Sequence, residues 1–129
     1  MVNYRSLLGR NWQYGVNDCY TLLRDFHKLC GVDLPDFPRP DCLEKSHSIF
    51  LKHAKEIGFH RISFLSRGFG DVLVMNLGTR HPNHAAIYVG DMRIIHQRQN
   101  SLSAETGLAS YYVDSIAAVY RYGANGPAA

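Results

Sequence analysis

Residues 84–96 read HAAIYVGDMRIIH, and this stretch decides the fold. Two runs of β-forming residues, His84 to Val89 and Met92 to His96, flank Gly90-Asp91, a pair typical of tight hairpin turns. We therefore predict two antiparallel strands joined by that turn. His84 and His96 then lie side by side at the open end of the hairpin, because the far ends of paired strands are within strand spacing of each other.

Further strands are predicted on either side of the hairpin in sequence. A short apolar run from Val72 to Met75 follows Gly70-Asp71, and the segment from Ser115 to Tyr122 is rich in β-forming residues. The upstream part of the chain has helical periodicity instead. Apolar residues recur at helical spacing from Cys19 to Leu29, directly after the N-cap residues Asn17-Asp18.

The first helix is expected to end at Gly31, and residues 33–40, which hold three prolines, are predicted to form an irregular loop. A second helix is predicted from Asp41, which has capping-box spacing with Glu44, to about Ile57. Helices followed by strands are typical of the α+β class. We therefore predict a layer of N-terminal helices packed on an antiparallel β-sheet.

The length of 129 residues and the ordinary globular composition predict one domain over residues 1–129. Residues 123–129 have little to bury and are expected to be a loose tail or docked on a partner. The net charge of +3 is small, and without a Lys/Arg cluster it argues against nucleic-acid binding. No apolar run approaches the ~20 residues of a membrane-spanning helix, and the N-terminus lacks the pattern of a secretory signal. We therefore expect a soluble protein made in the cytoplasm.

Cys19 is the candidate nucleophile. A thiol attacks as the thiolate, and a free cysteine has a pKa near ~8.5. The N-terminus of a helix lowers that pKa through its unpaired N–H groups and its dipole, and Cys19 begins the predicted first helix. The neighbouring carboxylate of Asp18 has the opposite effect, so a protonated imidazole is expected to complete the activation. The backbone N–H of Cys19 is a candidate donor to an oxyanion.

Two histidines complete the candidate site. His84 begins an apolar strand, so a rigid sheet edge is expected to aim its ring at the start of the helix, where it would act as the base for Cys19. His96 ends the neighbouring strand and is the candidate third member, which would orient the His84 ring and fix its tautomer. The convergence of three reactive side chains indicates a cysteine hydrolase.

Other interpretations of the cysteines stay open at this point. Cys19 is alternatively a structural cysteine at a helix start. Cys30 ends the first predicted helix and Cys42 lies near the start of the second, so both are expected to be structural. An oxidising compartment would allow them to form a disulfide.

A metal site is a further alternative, since zinc accepts imidazole and thiolate ligands. No Cys-x-x-Cys or His-Glu-x-x-His spacing is present, and we predict no metal. The residues available to such a site are Cys19, His81, His84 and His96. No role is predicted for the remaining histidines, which are His27, His47, His53 and His60.

Several motifs, in order along the chain, resemble the NlpC/P60 family of cysteine peptidases. They span residues 12 to 122, and their order together with the spacing of His84 and His96 makes the resemblance specific. The family's usual Asp-Cys-Ser-Gly run reads Asp18-Cys19-Tyr20-Thr21 here. The matching segments are Trp12-Gln13-Tyr14-Gly15-Val16-Asn17-Asp18-Cys19, Gly70-Asp71-Val72-Leu73-Val74, Asn83 to Gly90, Met92 to His96 and Ala117 to Tyr122.

The resemblance implies a papain-like fold and hydrolysis of peptidoglycan stem peptides, with bonds of the D-γ-glutamyl–diaminopimelate type as typical substrates. It assigns Cys19 as nucleophile, His84 as general base and His96 as the orienting residue. It also implies that Asp18 contacts the amine of the stem peptide, and that an upstream aromatic residue, Trp12 or Tyr14, supports the oxyanion site. No cofactor is expected.

Tyr20 and Thr21 resemble the subgroup found in the tails of long-tailed bacteriophages. This subgroup implies a tail-associated peptidase that is made in the bacterial cytoplasm, docks on tail-hub or tail-tip proteins, and opens the cell wall during DNA entry. A structural tail-tip or assembly module without turnover is the main alternative, and a thiol no more reactive than free cysteine would favour it. An acyl or amide hydrolase with another substrate is a third hypothesis, because one fold supports several chemistries.

Overall fold

The structure is a computed structural model that describes residues 2–39 and 49–123. Three α-helices and six β-strands lie within these ranges, together with two short 3₁₀ turns at Arg5–Leu7 and Phe64–Ser66. The helices are α1 (Cys19–Leu29), α2 (Ile49–His53) and α3 (Ser110–Ser115). The strands are β1 (Phe59–Ile62), β2 (Val72–Met75), β3 (His84–Gly90), β4 (Arg93–His96), β5 (Ala104–Gly107) and β6 (Ile116–Tyr122).

The strands form one antiparallel sheet with the order β1-β6-β2-β3-β4-β5. The predicted hairpin of β3 and β4 is confirmed, with Ile87 opposite Ile95 and Tyr88 opposite Ile94. The turn was predicted one residue too early, at Gly90-Asp91: Asp91 and Met92 turn the chain, with φ values of 52° and 55°, and β4 begins at Arg93 rather than at Met92. Positive φ at both central residues is the geometry of the hairpin turns that match strand twist. The register shifts between Tyr88 and Gly90, and the pairing of Ile87 with Ile95 makes His84 and His96 diagonal neighbours on one face at the open end of the hairpin.

Helix α1 packs across one face of the sheet, against β3. Its side chains Leu22, Leu23 and Phe26 are buried in the same cluster as Val72 and Ile87. Each such side chain contributes roughly 1.5–3 kcal/mol when it leaves water, so this contact fixes the helix on the sheet. The alternate residues of the strands form a second cluster on the other face, where α3 and the Phe64 turn cover Leu73, Met75, Ala86, Tyr88, Ile94 and Val119.

The predicted ends of α1 are confirmed. At its start, an oxygen of Asp18 accepts a hydrogen bond from the Thr21 N–H at 3.0 Å. At its end, Gly31 adopts a φ of 86°, and the N–H of Val32 donates to the carbonyl of His27 at 2.8 Å. A left-handed glycine with this long-range bond is a common helix stop. The start of α1 is thus held in place next to the sheet.

Three sequence predictions differ from the structure. Residues 110–114, to which no element was assigned, and Ser115, predicted to begin the last strand, form helix α3, so that strand begins at Ile116. The edge strands β1 and β5 were missed, because each pairs on one side and the segment Ala104–Gly107 carries residues of low β propensity. The second predicted helix is seen as α2, Ile49–His53, which ends at His53 rather than at about Ile57 and is followed by a turn up to Gly58. Its predicted start at Asp41 and the tail beyond Gly123 lie outside the described residues.

In the described ranges no helix is long and apolar enough to cross a membrane.

Candidate active site

Cys19 is the first residue of α1, and its sulfur lies against the beginning of strand β3. The backbone N–H groups of Ala85 and Tyr20 both donate hydrogen bonds to the Cys19 sulfur. Ala85 directly follows His84 in the chain, so the helix start meets the sheet where the candidate base is placed. The N–H of Cys19 itself belongs to the first turn of the helix, whose N–H groups have no partner within the helix.

His84 and His96 meet at the open end of the β3–β4 hairpin, as their spacing predicts. His84 Nε2 and His96 Nδ1 are 3.1 Å apart, and both side chains are buried. The rings cross at 65°, with centroids 5.3 Å apart. Because Nε2 of His84 is used by His96, the nitrogen that remains for a proton from a thiol is Nδ1.

The outer side of His96 is also held. His96 Nε2 lies 3.1 Å from the hydroxyl of Thr106 on β5. The Tyr112 ring of α3 stands edge-on to the His96 ring, with centroids 5.2 Å apart. Arg98, two residues after His96, donates to the Tyr112 hydroxyl at 3.3 Å. These contacts leave the His96 ring little freedom to rotate.

Both imidazoles are neutral at pH 7 in this arrangement. Burial, together with the nearby His96 and Arg98, lowers the pKa of His84 to about 3. Burial and the positive charge of Arg98 lower the pKa of His96 to about 4. A neutral His84 is able to accept a proton, which is what a general base must do.

The thiol of Cys19 is also neutral, which corrects one sequence prediction. Burial of the sulfur and the adjacent Asp18 carboxylate raise the pKa of Cys19 to about 11, although the N–H groups of Ala85 and Tyr20 and the Arg39 guanidinium lower it. The helix start was expected to lower the pKa with help from a protonated imidazole. Desolvation outweighs the helix start here, because removal from water disfavours the charged form. The resting pair is therefore a neutral thiol beside a neutral imidazole.

Asp18 is fully occupied by protein groups. Arg39 donates from Nε to one carboxylate oxygen at 2.8 Å and from Nη2 to the other at 2.9 Å. The N–H groups of Thr21 and Gly15 each donate at 3.0 Å. Burial disfavours the charged form of Asp18, but these bonds outweigh it and its pKa is lowered. The expected contact of Asp18 with a substrate amine remains a prediction, in which the amine would compete with Arg39.

Trp12 and Tyr14 lie on the loop that leads into α1. Their rings are stacked with centroids 6.4 Å apart, and both residues are half-buried. The loop is closed by a bridge between Gln13 and Asn17, whose N–H groups donate to each other's carbonyls at 3.1 and 2.8 Å. Support of an oxyanion by one of these two rings remains a prediction.

Neither a disulfide between Cys30 and Cys42 nor a metal site is seen among the described residues. Cys30 is an exposed free thiol, and Cys42 lies outside the described ranges, as does any bond between them. Within residues 2–39 and 49–123, no group of three His, Cys, Asp or Glu side chains is placed to hold a metal ion.

Comparison with known proteins identifies the family. The model of the NlpC/P60 family matches residues 9–125. The chain belongs to the NlpC/P60 family. Tail tip assembly protein K of Escherichia phage lambda is 39% identical to it over 98 residues, which are 75% of this chain and 49% of that protein. The predicted resemblance to the phage tail subgroup is thus confirmed, and the chain spans about half the length of this curated relative.

A solved structure supports the NlpC/P60 fold. It is the crystal structure of a protein of the NLP/P60 family, similar to a lipoprotein, from Staphylococcus aureus subsp. aureus Mu50. The two folds agree with a TM-score of 0.65 at 20% sequence identity, over 95% of this chain and 39% of that one. The predicted papain-like α+β fold is confirmed.

Proposed function

We propose that this NlpC/P60 protein is a cysteine peptidase that cleaves peptidoglycan stem peptides. The observation that carries the proposal is the meeting of three side chains at the start of β3. His84 Nε2 lies 3.1 Å from His96 Nδ1, and the N–H of the next residue, Ala85, donates a hydrogen bond to the Cys19 sulfur. A nucleophile, a base and a residue that orients the base are the parts that covalent acyl transfer requires.

The neutral resting pair favours proton transfer that accompanies attack. The Cys19 sulfur attacks the carbonyl carbon of the scissile peptide bond while its proton passes to Nδ1 of His84. The negative charge forms on the carbonyl oxygen, for which the backbone N–H of Cys19 is the proposed donor. The C–N bond then breaks, and His84 gives its proton to the leaving amine. A thioester with Cys19 remains.

The second half of the reaction restores the thiol. His84 removes a proton from a water molecule that attacks the thioester carbonyl, and the C–S bond breaks. The acyl group leaves as a carboxylic acid, and the sulfur takes the proton back from His84. No metal or redox step is needed, so we propose that the reaction proceeds without a cofactor.

The proposed substrate bond is of the D-γ-glutamyl–diaminopimelate type, which is typical of the family. The relationship to a phage tail tip assembly protein supports a place in the virion tail, with tail-hub or tail-tip proteins as partners. From there the enzyme would open the cell wall during DNA entry. Synthesis in the bacterial cytoplasm is part of the same proposal.

The test is digestion of purified peptidoglycan by the wild-type protein, Cys19→Ala and Cys30→Ala, with products identified by mass. Cys30→Ala is the matched control, because it removes the exposed thiol and leaves the site intact. We expect stem-peptide fragments from wild type and Cys30→Ala and none from Cys19→Ala. Equal fragments from Cys19→Ala would reject the mechanism.

A structural tail-tip or assembly module is the second candidate function. It is favoured by the similarity to the lambda relative, which is a tail tip assembly protein. Absence of fragments from every variant, including wild type presented in assembled tails, would support this candidate.

A further inference from the structure

The triad geometry continues to a fourth side chain, Thr106. Strand β5 pairs with β4 so that His96 is opposite Ala104, which places Thr106 two residues further along on the same face. Such diagonal neighbours are within reach of long side chains, and His96 Nε2 lies 3.1 Å from the Thr106 hydroxyl. His96 is the partner of this hydroxyl within the described part of the chain. Thr106 is half-buried.

The direction of the two hydrogen bonds decides whether His84 is a base. A neutral imidazole carries one N–H and one lone pair. If Thr106 accepts, His96 carries its proton on Nε2 and accepts at Nδ1 from His84 Nε2–H. His84 then has its lone pair on Nδ1. If Thr106 donates, both rings carry the proton on Nδ1, and Nδ1 of His84 has no lone pair with which to take the thiol proton.

Transfer of the thiol proton to His84 requires the same direction of the hydrogen bonds, with His96 donating to Thr106. Once His84 has taken the proton it is an imidazolium, and both of its nitrogens are donors. His96 Nδ1 must then accept, so His96 Nε2 must donate to Thr106. Loss of the hydroxyl would leave this buried N–H without a partner when the charge forms, which is costly for a buried donor.

We propose that Thr106 is a positioning residue that acts through His96, accepting its Nε2 proton and thereby holding a lone pair on Nδ1 of His84. The effect of Thr106 on the rate of cleavage rests on the proposed function, whereas its effect on the tautomers of His84 and His96 does not.

The tautomers are measured directly by ¹⁵N NMR of the histidine rings at pH 7. We compare wild type with Thr106→Val, which has the same shape without the hydroxyl, and with Thr106→Ser, which restores it. The matched control is Thr79→Val, whose hydroxyl bonds a carbonyl in an exposed loop. We expect the Nε2–H tautomer at both His84 and His96 in wild type, Thr106→Ser and Thr79→Val, and loss of that single state in Thr106→Val. An Nδ1–H tautomer at His96 in wild type, or an unchanged spectrum in Thr106→Val, would overturn the proposal.

The activity arm uses the peptidoglycan digestion with the same four proteins. We expect roughly a tenfold loss of kcat in Thr106→Val, the factor that one lost hydrogen bond of ordinary strength produces. KM should be unchanged, and Thr106→Ser should recover most of the rate. Full activity in Thr106→Val would refute the positioning role. If wild type cleaves nothing, the proposed function fails, and the NMR comparison still decides the tautomer assignment.

Discussion

Replacement of Arg39 by Gln tests how the charge of Asp18, beside the proposed nucleophile Cys19, is neutralised. Arg39 holds both oxygens of Asp18, at 2.8 and 2.9 Å, and also donates to the Thr21 hydroxyl at 3.1 Å. The side chains of Arg39 and Asp18 are 6% and 9% exposed. The variant therefore leaves a buried carboxylate without its counter-charge, one residue before Cys19.

The expected loss of stability is large for a single substitution. Removal of one partner from a buried ion pair costs about 3–5 kcal/mol, because the remaining charge is buried and uncompensated. Asp18 keeps the hydrogen bonds from the N–H groups of Thr21 and Gly15, which places the expected value at the lower end, about 3 kcal/mol. A domain of ordinary stability has about 5–15 kcal/mol in total, so the change is readily measured.

Urea unfolding at pH 7 measures this loss, with Arg24→Gln as the matched control. Arg24 also contacts the proline-rich loop, through Asp36 at 3.5 Å, but its side chain is 37% exposed. We expect the control to lose no more than about 1 kcal/mol. Combination of Arg39→Gln with Asp18→Asn should recover stability, because asparagine still caps the helix and no charge is left buried. Equal losses in Arg39→Gln and Arg24→Gln would refute the reasoning.

Two further predictions concern the histidine pair. The pKa of His96 in the folded protein is about 4, below its ordinary value near 6.5, so the unfolded chain binds more protons between these pH values. The free energy of unfolding should therefore fall as the pH drops from 6.5 to 4, by about 3 kcal/mol for this residue, and urea unfolding of His96→Asn should show a shallower decline. Arg98→Gln removes a charge that lowers the pKa of both His84 and His96, so an NMR titration at low salt should show both pKa values raised; unchanged values would contradict the assignment.

The hairpin of residues 84–96 was predictable because its signals are local. β-forming runs on either side of Gly90-Asp91 indicate two paired strands, but they do not determine the register. The turn lies at Asp91 and Met92 and the register shifts between Tyr88 and Gly90, and this register brings His84 and His96 to the same face. The start of α1 was predictable for the same reason, since Asp18 caps the helix that follows it directly. The candidate triad therefore needs these two local predictions, the observed register of the hairpin and one packing contact between helix and sheet.

Arg39 and Thr106 were not predictable from the sequence. Arg39 lies within the proline-rich loop of residues 33–40, and no local pattern indicates that its guanidinium reaches back 21 positions to Asp18. Thr106 lies on an edge strand with weak β signals, so its register against β4 was unknown. Both residues act through tertiary contacts. Neither contact was predictable, because the segments that carry Arg39 and Thr106 show no helical or strand periodicity in the sequence.

Because the Cys19 thiol is neutral at rest, its reactivity in the free protein does not distinguish a peptidase from a structural module. From the sequence alone, a Cys19 thiol that reacts no faster than free cysteine would favour a structural module. With the pKa of Cys19 at about 11, slow alkylation at neutral pH is expected of the active peptidase as well, because little thiolate is present at rest. Activation would instead come in the bound complex, when the sulfur attacks and His84 takes its proton. Peptidoglycan cleavage with the Cys19→Ala control therefore discriminates between the two functions, whereas a thiol probe of the free protein does not.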